Sequence, residues 1–217
     1  MPGFPSPANL GVLISGRGSN LQALIDAIAS GHLDASIALV ISNVAGAGGL
    51  DRARSAGIET AVVDHRGWPS RDDYDRALGD ELRSRDVELV CLAGFMRRIG
   101  APLIQVFPGA IVNIHPSLLP LHKGLDTHAR VLAAGDAQHG VSVHFVTPEL
   151  DGGPVIAQAA VPVLPGDDAA ALSARVHARE HILYPMVIEW LTQGRLQWNH
   201  GAPALDGKPL AAPVLLH

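Results

Sequence analysis

The sequence predicts an α/β fold: one mostly parallel, twisted sheet flanked by helices, with an antiparallel strand pair toward the C-terminus. Three observations predict it. From Leu10 to His115, short apolar runs alternate with amphipathic stretches. These runs are nearly continuous rather than alternating, as in strands covered on both faces. Later, only residues 147–154 separate the apolar runs Val141–Val146 and Val155–Val163, too few for a crossover helix.

Residues 1–9 are rich in Pro and Gly and read as a flexible N-terminal extension, with the domain proper over 10–217. Leu10–Ser15 reads as a buried strand that ends in glycines. Leu21, Leu24, Ile25 and Ile28 follow at helical spacing. Ile37–Ser42 is the next strand, Leu50–Ala56 a short helix stopped by Gly57, and Thr60–Asp64 a third strand. Arg71–Arg85 is helical, with Tyr74, Leu78 and Leu82 on one face. Val87–Ala93 is a fourth strand, a helix lies around Pro102–Phe107, and Ile111–His115 is a fifth strand. Asp168–Leu191 reads as one long closing helix, and Asp206-Gly207 as a hairpin turn between Leu196–Trp198 and Leu210. No linker divides the chain, so one domain is expected.

With 217 residues the chain can bury a sizeable core. Its 47% hydrophobic and 17% charged composition excludes disorder. Lys and Arg number 16 against 21 Asp and Glu, a net charge of −5 that argues against general nucleic-acid binding. A single cysteine, Cys91, excludes an intrachain disulfide framework and a Cys-based zinc knuckle. No apolar run approaches the roughly 18 residues of a membrane span. No cationic segment precedes the first apolar run, as a secretory signal requires. A cytoplasmic protein without a membrane or nucleic-acid partner is expected.

Two places carry chemistry. Ser15-Gly16-Arg17-Gly18-Ser19-Asn20 lies between a strand and a helix, where free backbone N–H groups and the helix dipole converge. It is neither G-x-G-x-x-G nor a Walker loop, so a single terminal phosphate fits better than a dinucleotide. A tight turn capped by Ser19 or Asn20 gives the same pattern. Asn113 and His115 are the polar entries in Ile111-Val112-Asn113-Ile114-His115, and period 2 puts both on one face. They sit at the C-terminal end of a parallel strand, where open α/β sheets hold ligands. Ser142 and His144 repeat the pattern, and Asp151 opens a Gly152-Gly153 loop just beyond. Asn and His donating to an oxyanion, with Asp supporting the His, suits addition to a carbonyl, where one such donor is worth ~3 kcal/mol. A satisfied buried His beside a strand-ending Asn is the alternative. Among the histidines, His177 and His181 are the best-spaced pair for a metal, but no H-E-x-x-H or Cys pair joins them, so no metal is expected.

The segments Gly16-Arg17-Gly18-Ser19-Asn20, Leu92-Ala93-Gly94-Phe95-Met96-Arg97, Asn113-Ile114-His115-Pro116-Ser117-Leu118-Leu119-Pro120, Gly140–Val146, Leu150-Asp151-Gly152-Gly153-Pro154 and Glu180-His181 together resemble the folate-dependent formyltransferases over about Leu10 to Leu210. The Gly-Ser-Asn turn and the short length point to the glycinamide ribonucleotide branch. The resemblance implies a single-domain formyltransferase fold with a Rossmann-like sheet. It implies transfer of formyl from 10-formyltetrahydrofolate to the amine of phosphoribosylglycinamide, without a metal, by a monomer or homodimer. It assigns catalysis to Asn113, His115 and Asp151. It puts the ribonucleotide on Gly18, Ser19, Asn20, His177 and Glu180. The folate falls on Arg71, on Met96, Arg97, Arg98 and Ile99, on Asn113, and on Thr147, Pro148, Glu149, Leu150 and Asp151. Arg17, Arg98, Pro148 and His177 depart from the residues usual at those places.

Sibling formyltransferases that act on methionyl-tRNA or hydrolyse the folate carry extra domains for which this chain leaves no room. A non-catalytic phosphate-binding module would keep the turn but has no use for Asn113, His115 and Asp151 together. A metal hydrolase built on the histidines would be sensitive to chelators.

Overall fold

The computed structural model describes residues 6–199 and 201–216, so residues 1–5 of the expected extension lie outside the described residues. Strand β1 (Ala8–Ile14) starts two residues before the expected Leu10, and Ala8 is already buried. There follow α1 (Ser19–Ala29), β2 (Ala35–Ser42), α2 (Gly48–Ser55), β3 (Thr60–Val62), α3 (Arg71–Arg83), β4 (Leu89–Leu92), α4 (Ala101–Val106) and β5 (Ile111–His115). The second half holds α5 (Thr127–Ala134), β6 (Gln138–Phe145), β7 (Val155–Pro162), α6 (Ala169–Thr192), β8 (Leu196–Asn199), β9 (Ala202–Leu205), β10 (Lys208–Pro209) and β11 (Val214–Leu216).

Local chemistry sets the boundaries. Ser70 caps α3 by accepting from the Asp73 amide at 3.1 Å, and Asp72 and Asp73 favour the positive end of the helix dipole. Tyr74, Leu78 and Leu82 form its buried stripe. Asp168 caps α6 by accepting from the Ala171 amide at 2.7 Å. Gly57, with φ of 73°, turns the chain out of α2 as expected.

Among the described residues one sheet has the order β11-β7-β6-β5-β4-β1-β2-β3, and β8, β9 and β10 form a small second sheet. The pairs β1–β2, β1–β4, β2–β3 and β4–β5 are parallel. Strand β6 is antiparallel to both β5 and β7, and β11 adds parallel to β7. The expected antiparallel pair is therefore β6–β7, in which β6 alone reverses direction. At the other end of the chain, Asp206-Gly207 has φ of 50° and 76° and joins β9 to β10. The expected partner Leu196–Trp198 instead pairs with β9.

Because β1 lies between β2 and β4, the chain runs outward from β1 in two directions. The loops leaving the C-terminal ends of β1 and β4 then diverge and leave a crevice between them. Helix α6 packs against α1, α5, β6 and β7. Its Tyr184 hydroxyl, fully buried, donates to the Leu92 carbonyl at 3.0 Å and so locks the helix to the end of β4. Glycine makes the β1 turn possible. Gly18 has φ of 72°, and a Cβ there would come within 2.6 Å of Gly49 Cα. The Gly49 amide in turn donates to the Gly16 carbonyl at 3.0 Å, so α2 braces the turn.

Candidate active site

A cavity of about 710 Å³ fills the crevice. One wall is the turn Gly16–Asn20 after β1 and another the segment Leu92–Ile99 after β4. The remaining walls come from β5, the start of α5, the 146–151 loop and α6. The two segments at the switch point are tied together. The Ser15 amide donates to the Gly94 carbonyl at 3.0 Å, and the Met96 amide donates to Ser15 Oγ at 2.8 Å.

Asn113 and His115 project from one face of β5, as period 2 requires, and both line the cavity. The antiparallel register places Asn113 opposite His144 and His115 opposite Ser142. His144 is buried, and its Nδ1 lies 2.9 Å from the Phe145 carbonyl. A carbonyl only accepts, so Nδ1 carries the hydrogen and Nε2 is the acceptor in the neutral ring. Asn113 Nδ2, 3.0 Å from that Nε2, donates to it. Burial pushes the His144 imidazole below its ordinary range and keeps it in this neutral form. The Asn113 amide is thus held with its nitrogen toward His144, and one N–H remains for the cavity.

His115 has an acceptor opposite each ring nitrogen. Nε2 lies 3.1 Å from the His122 carbonyl, and Nδ1 lies 3.6 Å from Asp151 Oδ2. The second distance exceeds a hydrogen bond, as is common for catalytic pairs before substrate binds. Asp151 Oδ1 stands 3.8 Å from His144 Nε2, which in the neutral ring is an acceptor, so the carboxylate makes no hydrogen bond to it. Asp151 adopts φ of 47°, a conformation Asp tolerates better than most side chains. It is fixed by the Gly124 amide, which donates to Oδ2 at 2.8 Å. Beside it, Lys123 Nζ meets Glu149 Oε1 at 2.8 Å, which ties the loop after β5 to the loop after β6.

The Asp151 loop returns closely over β6. A Cβ on Gly153 would strike the Phe145 carbonyl oxygen. Backbone cannot give way there as a flexible side chain would. Gly153→Ala is therefore expected to lower stability by about 1–3 kcal/mol, read as a lower urea midpoint. An unchanged midpoint would refute the contact.

The structure brings Asn113, His115 and Asp151 together. Around the same cavity stand Gly18, Ser19, Asn20, His177 and Glu180, together with Met96–Ile99 and Thr147–Asp151. Arg71 is the exception. It is exposed at the first turn of α3, beside Gly100 and outside the cavity lining. Ser142 also departs from the pattern that pairs it with His144. Its hydroxyl donates to the Ser117 carbonyl at 2.6 Å and accepts from the Leu119 amide at 3.0 Å, so it pins the loop after β5. Sequence reasoning missed Thr127 and His128, which line the cavity from the first turn of α5. The chain stop at Gly135 after an Ala-rich stretch was the available signal.

At the turn end of the cavity, Asn20 Nδ2 donates to Glu180 Oε2 at 2.8 Å, linking α1 to α6. Glu180 is buried, and its carboxyl is pushed up by that burial, opposed by the Asn20 bond. In the segment after β4, Met96, Arg97 and Arg98 are exposed while Ile99 is buried. Cys91 lies behind the site, fully buried, with its thiol pushed up to about 12, so it is no nucleophile. Among the described residues no three His, Cys, Asp or Glu side chains are grouped to hold a metal, and no helix is long and apolar enough to cross a membrane.

Comparison with known proteins agrees with this geometry. The formyl transferase family matches over residues 8–188. Phosphoribosylglycinamide formyltransferase of Escherichia coli (strain K12) is 50% identical over 202 residues, covering 93% of this chain and 95% of the relative. The human trifunctional purine biosynthetic protein adenosine-3 is 45% identical over 190 residues, 88% of this chain and 19% of that protein. The solved phosphoribosylglycinamide formyltransferase of Coxiella burnetii superposes with a TM-score of 0.93 at 48% identity, covering 97% of this chain and 100% of that one. With the match running through β1, the β5 pair, the Asp151 loop and most of α6, the chain belongs to the formyl transferase family.

Proposed function

We propose that the protein transfers the formyl group of 10-formyltetrahydrofolate to the amine of phosphoribosylglycinamide in purine biosynthesis. The observation that carries the reading is the meeting of Asn113, His115 and Asp151 in one cavity that a phosphate-type turn and the Met96–Ile99 segment also line. The cavity volume of about 710 Å³ lies in the range of small-molecule sites.

The donor supplies, when bound, a formyl carbon activated by its aromatic amine nitrogen. The chain's own residues do the rest. The free N–H of Asn113, and Nδ1–H of the protonated His115 ring, which makes no hydrogen bond to Asp151 at 3.6 Å, are the donors available to the formyl oxygen as negative charge grows on it during attack by the substrate amine. Asp151, 3.6 Å from Nδ1, orients the His115 ring. The attacking amine must shed a proton and the departing folate nitrogen must gain one, and His115 with Asp151 lies on that route. Met96–Ile99 and Thr147–Asp151 line the folate end, with Lys123 fixing Glu149. Gly18, Ser19 and Asn20 hold the phosphate, and Glu180 takes ribose hydroxyls. Small-molecule substrates, a cytoplasmic location and a monomer or homodimer accompany this reading.

A spectrophotometric assay with 10-formyltetrahydrofolate tests it: folate product should appear only when phosphoribosylglycinamide is added, with or without chelator. Product without the ribonucleotide would indicate a deformylase. Ser19→Ala is expected to raise KM for the ribonucleotide roughly tenfold, the worth of one hydrogen bond to a charged group, with KM for the folate unchanged. A selective effect on the folate would mean that the two subsites are exchanged.

A further inference from the structure

At the turn end of the cavity, His177, which the family resemblance gives to the ribonucleotide, meets a residue that the resemblance does not assign. His128, at the start of α5, and His177, on α6, both line the cavity. Their rings meet edge to face with centroids 6.4 Å apart, and His181 stacks on His177 at 6.3 Å. Behind His128, the His139 ring of β6 places Nε2 2.9 Å from His128 Nδ1. Two buried polar atoms at this end have no hydrogen-bond partner: Asn20 Oδ1 and Thr127 Oγ1, on residues 8% and 2% exposed. Both residues line the cavity, one beside the turn and one beside His128. A phosphate can complete the Thr127 hydroxyl, which donates to it, whereas Asn20 Oδ1 accepts and needs a donor such as a sugar hydroxyl.

We infer that His128 and His177 form the facing wall of the phosphate subsite and take up a proton when a phosphate dianion enters it. The inference rests on the reading that the Gly16–Asn20 turn holds a phosphate. The groups around the pair are mostly cations or potential cations. Arg17 faces His177 from the turn, and His115 faces His128 from β5. His181 and Glu180 flank His177 on α6 itself, and Asp26 of α1 faces His181. Burial first, and then these neighbours, push both His128 and His177 below the ordinary histidine value. His139 is pushed down to about 4 by burial and stays a neutral partner. Burial first, and the neighbouring positive groups second, thus disfavour the protonated form of both rings. A dianion reverses the sign of the local potential and makes the protonated rings favourable. A protonated His128 donates from both nitrogens, one to His139 and one to the phosphate.

Calorimetric titration of the full chain with ribose 5-phosphate tests this, at about pH 7.5 in buffers of low and high ionisation enthalpy. That ligand has no amine to titrate, and its phosphate, with a second pKa of about 6, is already a dianion. Any proton taken up then goes to the protein. The expected uptake approaches one proton, and His128→Gln and His177→Gln each reduce it by at least half. Affinity should fall with rising pH, by up to about tenfold per unit for a full proton, and the double variant should flatten that slope. Binding that is weakened by Ser19→Ala yet shows no buffer dependence overturns the inference and leaves the phosphate reading standing. Uptake that persists in the double variant also overturns it, since Glu180 would then be the acceptor. Absence of binding, or binding indifferent to Ser19→Ala, overturns both.

Discussion

Replacing His115 by Ala is expected to remove nearly all turnover, about 10³-fold or more, while both ligands still bind. General acid–base groups contribute about 10²–10⁴-fold and an oxyanion donor about 10²–10³-fold, and His115 is placed to act as both. Its ring is 6% exposed at the C-terminal end of β5, between the His122 carbonyl and the Asp151 carboxylate. The imidazoles of the strand and of the loop beside it are committed elsewhere. His144 is committed to Asn113 and Phe145, and His122 to Asp136 at 2.6 Å. The substitution leaves the strand's backbone ladder intact, and Asp151 keeps its bond from the Gly124 amide. Binding affinity should therefore change little, and added imidazole should restore part of the rate by entering the space left behind. Unchanged turnover would remove His115 from the chemistry. A loss accompanied by a lower unfolding temperature and weaker binding of both ligands would make its role structural.

What the sequence discloses follows from how local each signal is. Asn113 and His115 stand out because two polar residues on one face of an apolar strand need an explanation that the strand itself does not supply. The Gly16–Asn20 turn stands out because its glycines separate an apolar run from a helical one. Both readings need only residues adjacent in the chain. His144 matters through its pairing across the sheet with Asn113, and the register of β6 on β5 is set by packing over the whole sheet. Its neighbour Ser142 shows the same alternation yet pins a loop, so spacing alone cannot separate the two roles. Helix α5 is hard to see because only Thr127 and Val131 of its eight residues are buried, too few to make an apolar stripe. Strand β11 is three residues long, and it exists because β7 offers an open edge. Arg71 rests on the family resemblance alone, and the first turn of α3 sets it outside the cavity lining.

Asn113→Ala should lower kcat by about 10²–10³-fold, the usual loss for one oxyanion donor, and His144→Ala by a smaller factor through the same group. Asn113 can donate toward the reacting oxygen only while its amide nitrogen faces the cavity. Two bonds enforce that orientation: His144 Nδ1 is 2.9 Å from the Phe145 carbonyl, and Nε2 is 3.0 Å from Asn113 Nδ2. Without the imidazole the amide can turn its oxygen inward, where it would repel the developing charge. Asn113→Asp should be as damaging as Ala or worse. It retains the shape but offers only acceptors, one of them against the lone pair of His144 Nε2. Because His144 is a positioning residue that works through Asn113, the two losses should not add: the Asn113→Ala/His144→Ala protein should be little slower than Asn113→Ala alone. The readout is kcat for the four proteins of the cycle, with KM for each substrate as the control for binding. Multiplicative losses would show that His144 acts independently, through Asp151 Oδ1 at 3.8 Å rather than through the amide. Losses that coincide would make the Asn113–His144 pair one functional unit, with the neutral, buried imidazole as the part that sets which way the amide points.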